Sequence, residues 1–469
     1  LPDDWTWTYP TALTDGQNYL LRVKSADKAG NVRTQDTSFL YDATPAVATI
    51  TFPTNGSYNT GALTFTGGSF DTAGPGGFAS GVSTVAVMIQ SQSGATDGMC
   101  YGFGAGFAVA CPNFIPASGS PGSWTFTPTG GPFVTGQKYL VVAQGTDAAG
   151  NAQAVFNAGG VVPSSNTFTY DIATPQVGIA APIPQANDRE TPATLNALSG
   201  TAFDPVGGSL ALVQLRVRNE TGPTYWDPIT HVFDLAAGSS EQAWFNAVTA
   251  DQYANWTSTT NNISFAGLDG STFTVTARSL NYAGTYSVPY SSNSFVYDSL
   301  PPQTGVTLPV NSTYTSTLAS LTGTAADLPA VNPGAVATVQ LRLERLADGY
   351  YWTGTTGVGV WNSGLTTMGA AQGVTVWVSS WNVGSSNLPA PNNLPTGLQT
   401  GDSYYITTEG ADSADGGGNA EAWNSPRGST FTFDDIPPVT GILNPLDASF
   451  VKSLPSFSGT GFDGVLLST

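Results

Sequence analysis

Histidine is nearly missing from this chain: His231 is the single one among 469 residues, and Cys100 and Cys111 are the only thiols. Catalysis by an imidazole-activated nucleophile, or a zinc centre built from His and Cys, needs more such side chains than are present. His231, in the segment YWDPITHVFD, therefore reads as an ordinary surface or strand residue. Cations are scarce as well. Thirteen Lys and Arg stand against 32 Asp and Glu, and the net charge of −19 repels nucleic acid and anionic membrane surfaces while favouring cations as partners. No run of 18 apolar residues occurs, so no segment reads as a membrane-spanning helix. The opening residues LPDDWTWTYP lack the basic and apolar regions of a signal peptide, so an export signal or anchor is expected outside residues 1–469. Charged residues make up only 10%, and no long stretch repeats Ala, Leu, Glu and Lys with a 3.6-residue period, which argues against a helical fold.

What the chain does have is Gly (55), Pro (32), much Ser and Thr, and 52 aromatic residues counted as Trp 11, Tyr 18 and Phe 23. That composition suits many short strands joined by turns, with enough apolar surface for packed cores. A chain of this length is expected to divide into domains of about 100–150 residues. The expected fold class is all-β.

A long internal period supports this. FLYDATP (39–45), FTYDIATP (168–175), FVYDSLPP (295–302) and FTFDDIPP (431–438) place aspartates at 42, 171, 298 and 434. Each is followed by a second element: FTGGSFD (65–71), LSGTAFD (198–204), LTGTAAD (321–327) and FSGTGFD (457–463). Next come alternating runs in which Val85, Val87 and Ile89, then Val213, Leu215 and Val217, then Val339, Leu341 and Leu343 fall on one face of a half-buried strand. A tryptophan (Trp7, Trp124, Trp256, Trp381) then precedes a Gly-x-x-Tyr/Phe step that leads to Tyr19, Tyr139, Phe273 and Tyr404. A turn spelled DKAGN at 27–31 and DAAGN at 147–151 follows that strand.

This order of elements resembles the bacterial Ig-like domains found in tandem in large surface proteins and adhesins, whose modules end in a DxAGN hairpin and a YD-x-x-P linker. The resemblance covers the whole chain. It implies antiparallel β-sandwiches threaded end to end: a fragment of a sandwich at 1–43, three complete units at 44–172, 173–299 and 300–435, and a fragment of another at 436–469. The tyrosine of the Gly-x-x-Tyr step is similar to the tyrosine corner of Ig-type sandwiches, with Phe273 the exception. Units of about 130 residues exceed the ~100 of a standard Ig domain, so insertions are expected between the third strand and the Trp-bearing strand. The two terminal pieces together lack the central strands of a unit, and the chain is expected to be a window of a longer array.

In an Ig-type sandwich the loop after the second strand and the last hairpin lie at the end where the chain enters. The resemblance thus brings three elements to each junction: Asp42 with Asp71, Asp147 and Asn151; Asp171 with Asp204 and, more weakly, Asn281 and Thr285; Asp298 with Asp327, Asp412 and Asn419. Crowded carboxylates repel unless neutralised, and calcium, which takes 6–8 oxygen ligands in flexible geometry, is the fitting ion. Junction calcium is also what the resemblance implies. The plainer alternative is that Asp and Asn serve only as turn formers, with Gly and Asn supplying positive φ. The junction around Asn281 is expected to bind worst.

Cys100 and Cys111 flank the Gly-rich loop YGFGAGFAVA, and a disulfide closing it is favoured over two free thiols, which points to an oxidising location. Paired carboxylates of a glycosidase would be a singular feature, whereas these acids recur in every unit, so the chain reads as a non-enzyme. The YW steps at Trp226 and Trp352 raise the alternative of carbohydrate-binding surfaces, against the reading that these rings belong to the core. The functional expectation is an extracellular or cell-surface stalk or fibre segment, with neighbouring repeats of the same chain as partners. Adhesive modules that bind a host cell or glycan, and lateral self-association into a filament through poorly guarded sheet edges, are the alternatives.

Overall fold

The computed structural model describes residues 4–465 apart from 121, 160, 162, 184–188, 196, 206–207, 355–358, 390–396, 416 and 424–426. Strand alternation builds it. In Val82–Ser91, Leu210–Asn219 and Val336–Arg345 the inward set named above is buried, because successive side chains point to opposite faces and only one face meets the core. Each of these strands pairs antiparallel with the Tyr- or Phe-led strand: Gln137–Asp147, Thr272–Asn281 and Ser403–Asp412. Those in turn pair with the closing strands Ser165–Tyr170, Ser291–Tyr297 and Ser429–Phe433. Beyond them a short strand joins in parallel: Ser57–Asn59, Arg189–Glu190 and Thr313–Thr315. Among the described residues the resulting sheets have seven, seven and six strands.

A smaller sheet faces each of them. It carries the first strand, the Gly-containing second strand (Phe65–Phe70, Ser199–Phe203, Ser320–Ala326) and the Trp-bearing strand (Ser123–Phe126, Asn255–Thr257, Ser380–Gly384). The chain is thus a tandem of antiparallel β-sandwiches, each with its own apolar core. Before and after them lie two-stranded ribbons, Gln17–Ala26 with Val32–Tyr41 and Val439–Asn444 with Ser458–Phe462. Among the described residues no helix is long and apolar enough to cross a membrane.

Packing explains the second recurring element. Trp124, Trp256 and Trp381 lie against Gly67, Gly200 and Gly323, where an added Cβ would come within 2.6 Å of the indole and within 2.0 Å of the carbonyl of Thr49, Gly178 or Gly305. Only glycine fits between the ring and the neighbouring backbone. The indole N–H of Trp124 donates to Thr49 O (3.1 Å) and that of Trp381 to Gly305 O (3.2 Å), so the polar edge of each of these two buried rings is satisfied. The tyrosine step is equally local: the hydroxyls of Tyr19, Tyr139 and Tyr404 accept the backbone N–H of Thr14, Val134 and Gln399, five residues upstream, at 2.7–2.9 Å. Phe273 has no hydroxyl and instead packs against Phe265 and Phe295.

The extra length lies between the third strand and the Trp-bearing strand. In the first sandwich this stretch holds the hairpin Cys100–Gly102 and Gly106–Val109, stapled by a Cys100–Cys111 disulfide. In the others it holds Thr224–Trp226 with Phe233–Ala236, and Tyr350–Trp352 with Trp361–Asn362. Here the placement of the two candidate sugar-binding tryptophans is corrected. Trp226 and Trp352 are 1% and 4% exposed and face the core, packed on Phe245 and Trp361. The outward side belongs to their half-buried neighbours Tyr225 and Tyr351, so neither indole offers a face to a sugar ring. His231 sits in an exposed turn with φ of 62°.

Candidate metal centres at the junctions

The repeated turn forms without help from any junction. In DKAGN, Asp27 Oδ1 accepts the backbone N–H groups of Ala29 and Asn31, Asp27 Oδ2 accepts the Asn31 amide, and Gly30 takes φ of 88°. These bonds, led by the Asn31 side chain, hold the Asp27 carboxyl below its usual range. The same turn at 147–151 keeps this pattern: Asn151 donates its N–H to Asp147 Oδ1 and its amide to Asp147 Oδ2. What it adds is position, because this second copy lies against the linker that leaves the preceding ribbon.

There Asp42, Asp71 and Asp147 converge, each bringing a carboxylate oxygen within 4.8 Å of the other two. They come from the linker, the end of the second strand and the hairpin. Backbone amides fix two of them further: Ser80 N–H donates to Asp42 Oδ2 (2.6 Å) and Gly81 N–H to Asp71 Oδ2 (2.8 Å). Asp71 Oδ1 is buried with no partner among the described residues. Burial first, then the charges of Asp42 and Asp147, push the Asp71 carboxyl upward. Among the described residues none of the three has an ion-pair partner.

The third junction repeats this with Asp298, Asp327 and Asp412, again within 4.8 Å and all buried. Among the described residues Asp298 Oδ1 and both oxygens of Asp327 have no hydrogen-bond partner. Burial, reinforced by Asp327 and Asp412, pushes Asp298 up to about 6, and burial raises Asp327 too. One cation is built in: the Arg189 guanidinium reaches Asp298 Oδ2 at 3.2 Å and donates to Asn332 O (2.9 Å) and Pro333 O (2.8 Å). Three carboxylates against one guanidinium still leave two negative charges.

The middle junction differs in its third side chain, although Asp204 Oδ1 there is also buried with no hydrogen-bond partner among the described residues. Asp171 and Asp204 meet Asn281 rather than a third carboxylate, and the Asn281 amide donates to Asp204 Oδ2 (3.1 Å), Asp171 Oδ2 (3.3 Å) and Ala173 O (3.1 Å). Thr285 takes the place of Asn151 and donates its backbone N–H to Asn281 Oδ1 (2.8 Å).

Unit charges about 5 Å apart repel by about 3 kcal/mol at an effective dielectric of about 20, so three such carboxylates form a strained set without a counter-ion. Buried oxygens with no donor are the signature of a group that a cation would satisfy. The donor set is all oxygen and negatively charged, which fits a hard cation such as calcium. Asn151 and Asn419 depart from the expected ligand role. Each turns its amide nitrogen to the hairpin aspartate and to the linker carbonyl, Asp42 O at 3.0 Å and Asp298 O at 3.2 Å, so they orient the ligands.

Sequence reasoning missed Arg189 altogether, because a two-residue strand pairing in parallel leaves no periodicity to read. It also missed the residue just before the Gly-x-x-Tyr/Phe glycine, although the aligned units carry Asp15, Thr135, Asp269 and Thr400 there. These side chains accept N–H groups from the residues just after the linker aspartate: Ala43 to Asp15, Ile172 to Thr135, Ser299 to Asp269 and Asp435 to Thr400. A recurring hydrogen-bonding residue at one aligned position was the available signal.

No family model matches the chain, and no curated protein matches it. Among solved structures it is similar to a tetra-tandem repeat in the extending region of a large adhesion protein, with 17% identity, 90% of this chain and 82% of that one covered, and a TM-score of 0.27. It is also similar to a structure of a 1.5-MDa bacterial ice-binding adhesin, with 11% identity, coverage of 84% and 99%, and a TM-score of 0.29. Domains A168–A170 of titin give 9% identity, coverage of 84% and 100%, and a TM-score of 0.28. At this level of similarity the fold is read from the chain's own strand pairing.

Proposed function

We propose that this chain is an extracellular spacer of an adhesion-type surface protein, whose outer junctions are stiffened by calcium. One observation carries the reading: at two junctions three aspartates from successive units converge within 4.8 Å, with buried oxygens that no group among the described residues satisfies. Calcium bound there would be held by Asp42, Asp71 and Asp147, and by Asp298, Asp327 and Asp412. It would supply the charge that lets linker, second strand and hairpin stay together. The chain's own groups prepare the site: Asn151 and Asn419 aim the hairpin carboxylates, and Ser80 and Gly81 hold the other two at the first junction.

The Cys100–Cys111 disulfide supports an oxidising compartment. Outside cells calcium modules of about 10⁻⁴–10⁻³ M affinity fill and function. The recurring acids sit in structural turns of successive units, which supports a joint rather than a catalytic centre. Calorimetric titration of the metal-free chain with calcium, alongside small-angle scattering with and without chelator, tests the reading. Saturable binding at millimolar or lower calcium, with a longer and narrower distance distribution in the loaded chain, is the expected result. Absence of binding at 10⁻² M, about tenfold above the module range, or identical scattering in both conditions, overturns it.

A further inference from the structure

Asn281 occupies in the middle junction the place that Asp147 and Asp412 hold in the outer two: each ends its Tyr- or Phe-led strand and opens the hairpin. The backbone fixes which way its amide faces. Asn281 Oδ1 accepts the Thr285 N–H, so the nitrogen turns toward the linker; the flipped amide would set donor against donor. That nitrogen then sits among Asp204 Oδ2, Asp171 Oδ2 and Ala173 O, oxygens contributed by the linker and the following unit.

A second contact, independent of any carboxylate, crosses the same junction. Tyr58 of the short parallel strand stacks on Tyr282 with ring centroids 5.7 Å apart, and its hydroxyl meets Ser209 Oγ at 3.1 Å. Register makes Tyr58 the counterpart of Arg189: Tyr58 pairs with Thr169, and Arg189 with Val296, each two residues before the linker aspartate. The chain therefore places a different device at one structural position, a ring where Asn281 follows and a guanidinium where three carboxylates converge.

We propose that Asn281 decides which junctions take a cation: its amide draws together the oxygens that the outer junctions leave to calcium, and with the Tyr58–Tyr282 stack it closes the middle joint without metal. This rests on the calcium reading of the outer junctions and adds that chelation loosens two joints and spares the one between them.

The test uses the full chain, with calcium as the probe. Equilibrium dialysis is expected to give two bound calcium ions per chain, and three for Asn281→Asp combined with Thr285→Asn, which restores the hairpin pattern of the outer junctions. Amide hydrogen exchange is expected to speed up tenfold or more in chelator at residues 42–46 and 298–302, and to change less than twofold at 171–175. Tyr58→Ala is expected to raise exchange at 171–175 in calcium and chelator alike. No calcium bound by the unaltered chain overturns the calcium reading itself. With the outer sites filled, three ions on the unaltered chain, a count that stays at two in the double variant, or chelator-sensitive exchange at 171–175 overturns this inference and leaves that reading standing.

Discussion

Tryptophan placement in the YW steps is decided by a single strand position. Because Trp226 lies on the inner face at 1% exposure, Trp226→Ala is expected to lower the stability of its sandwich by about 3–5 kcal/mol. Trp377→Ala, at a ring 54% exposed, is expected to change stability by less than about 0.5 kcal/mol. Denaturant titration followed by tryptophan fluorescence distinguishes the two. The Asp298 carboxyl makes a second residue-level prediction. It titrates at about 6 when folded, against 3.8 as the ordinary value, so between those pH values the folded chain keeps a proton that the unfolded chain has lost. In chelator, the stability of the third junction is therefore expected to fall as pH rises from about 4 to about 6 and to level off above that. Asp298→Asn is expected to flatten this dependence, and thermal unfolding across that range reads it. An unchanged slope in the variant would assign the pH dependence to other groups.

At the scale of elements, the strands were legible and their partners only partly so. The period-2 runs at Val85–Ile89, Val213–Val217 and Val339–Leu343 are buried as the alternation dictates, and the Gly-x-x-Tyr step gives the same five-residue hydroxyl bond in three places. Asp42, Asp71 and Asp147 were legible as a cluster because each is tied to a recurring motif. Arg189 and the Tyr58–Tyr282 stack were not: they depend on which residues a short parallel strand sets beside the linker, and local sequence carries no mark of that register. The orientation of Trp226 was missed for a related reason. A YW pair fixes that its two rings face opposite ways but not which of them faces the core. The Cys100–Cys111 disulfide, by contrast, was the favoured reading of two cysteines flanking a short Gly-rich loop. Its closed loop is short, and replacing both cysteines by alanine is expected to destabilise the first sandwich by about 2–3 kcal/mol, with the other two unaffected. Calorimetric transitions of the full chain would show one of three shifting.

For the whole molecule, the short parallel strand has a consequence beyond register. In each complete sandwich it lies beside the closing strand, with Asp171, Asp298 and Asp434 donating their backbone N–H to the carbonyls of Asn59, Glu190 and Thr315. The chain enters near the short strand and leaves from the closing strand, and the two run the same way. A load applied to the ends of the string therefore tries to slide these neighbours past each other. Their hydrogen bonds lie across the line of force and must fail together, whereas bonds loaded from the open end of a hairpin break in succession. Resistance to tearing is in this way set by a patch of two or three residues, repeated once per bead, whose closing-strand side carries Phe168, Tyr297, Phe431 and Phe433 of the same aromatic cores that give each bead its equilibrium stability.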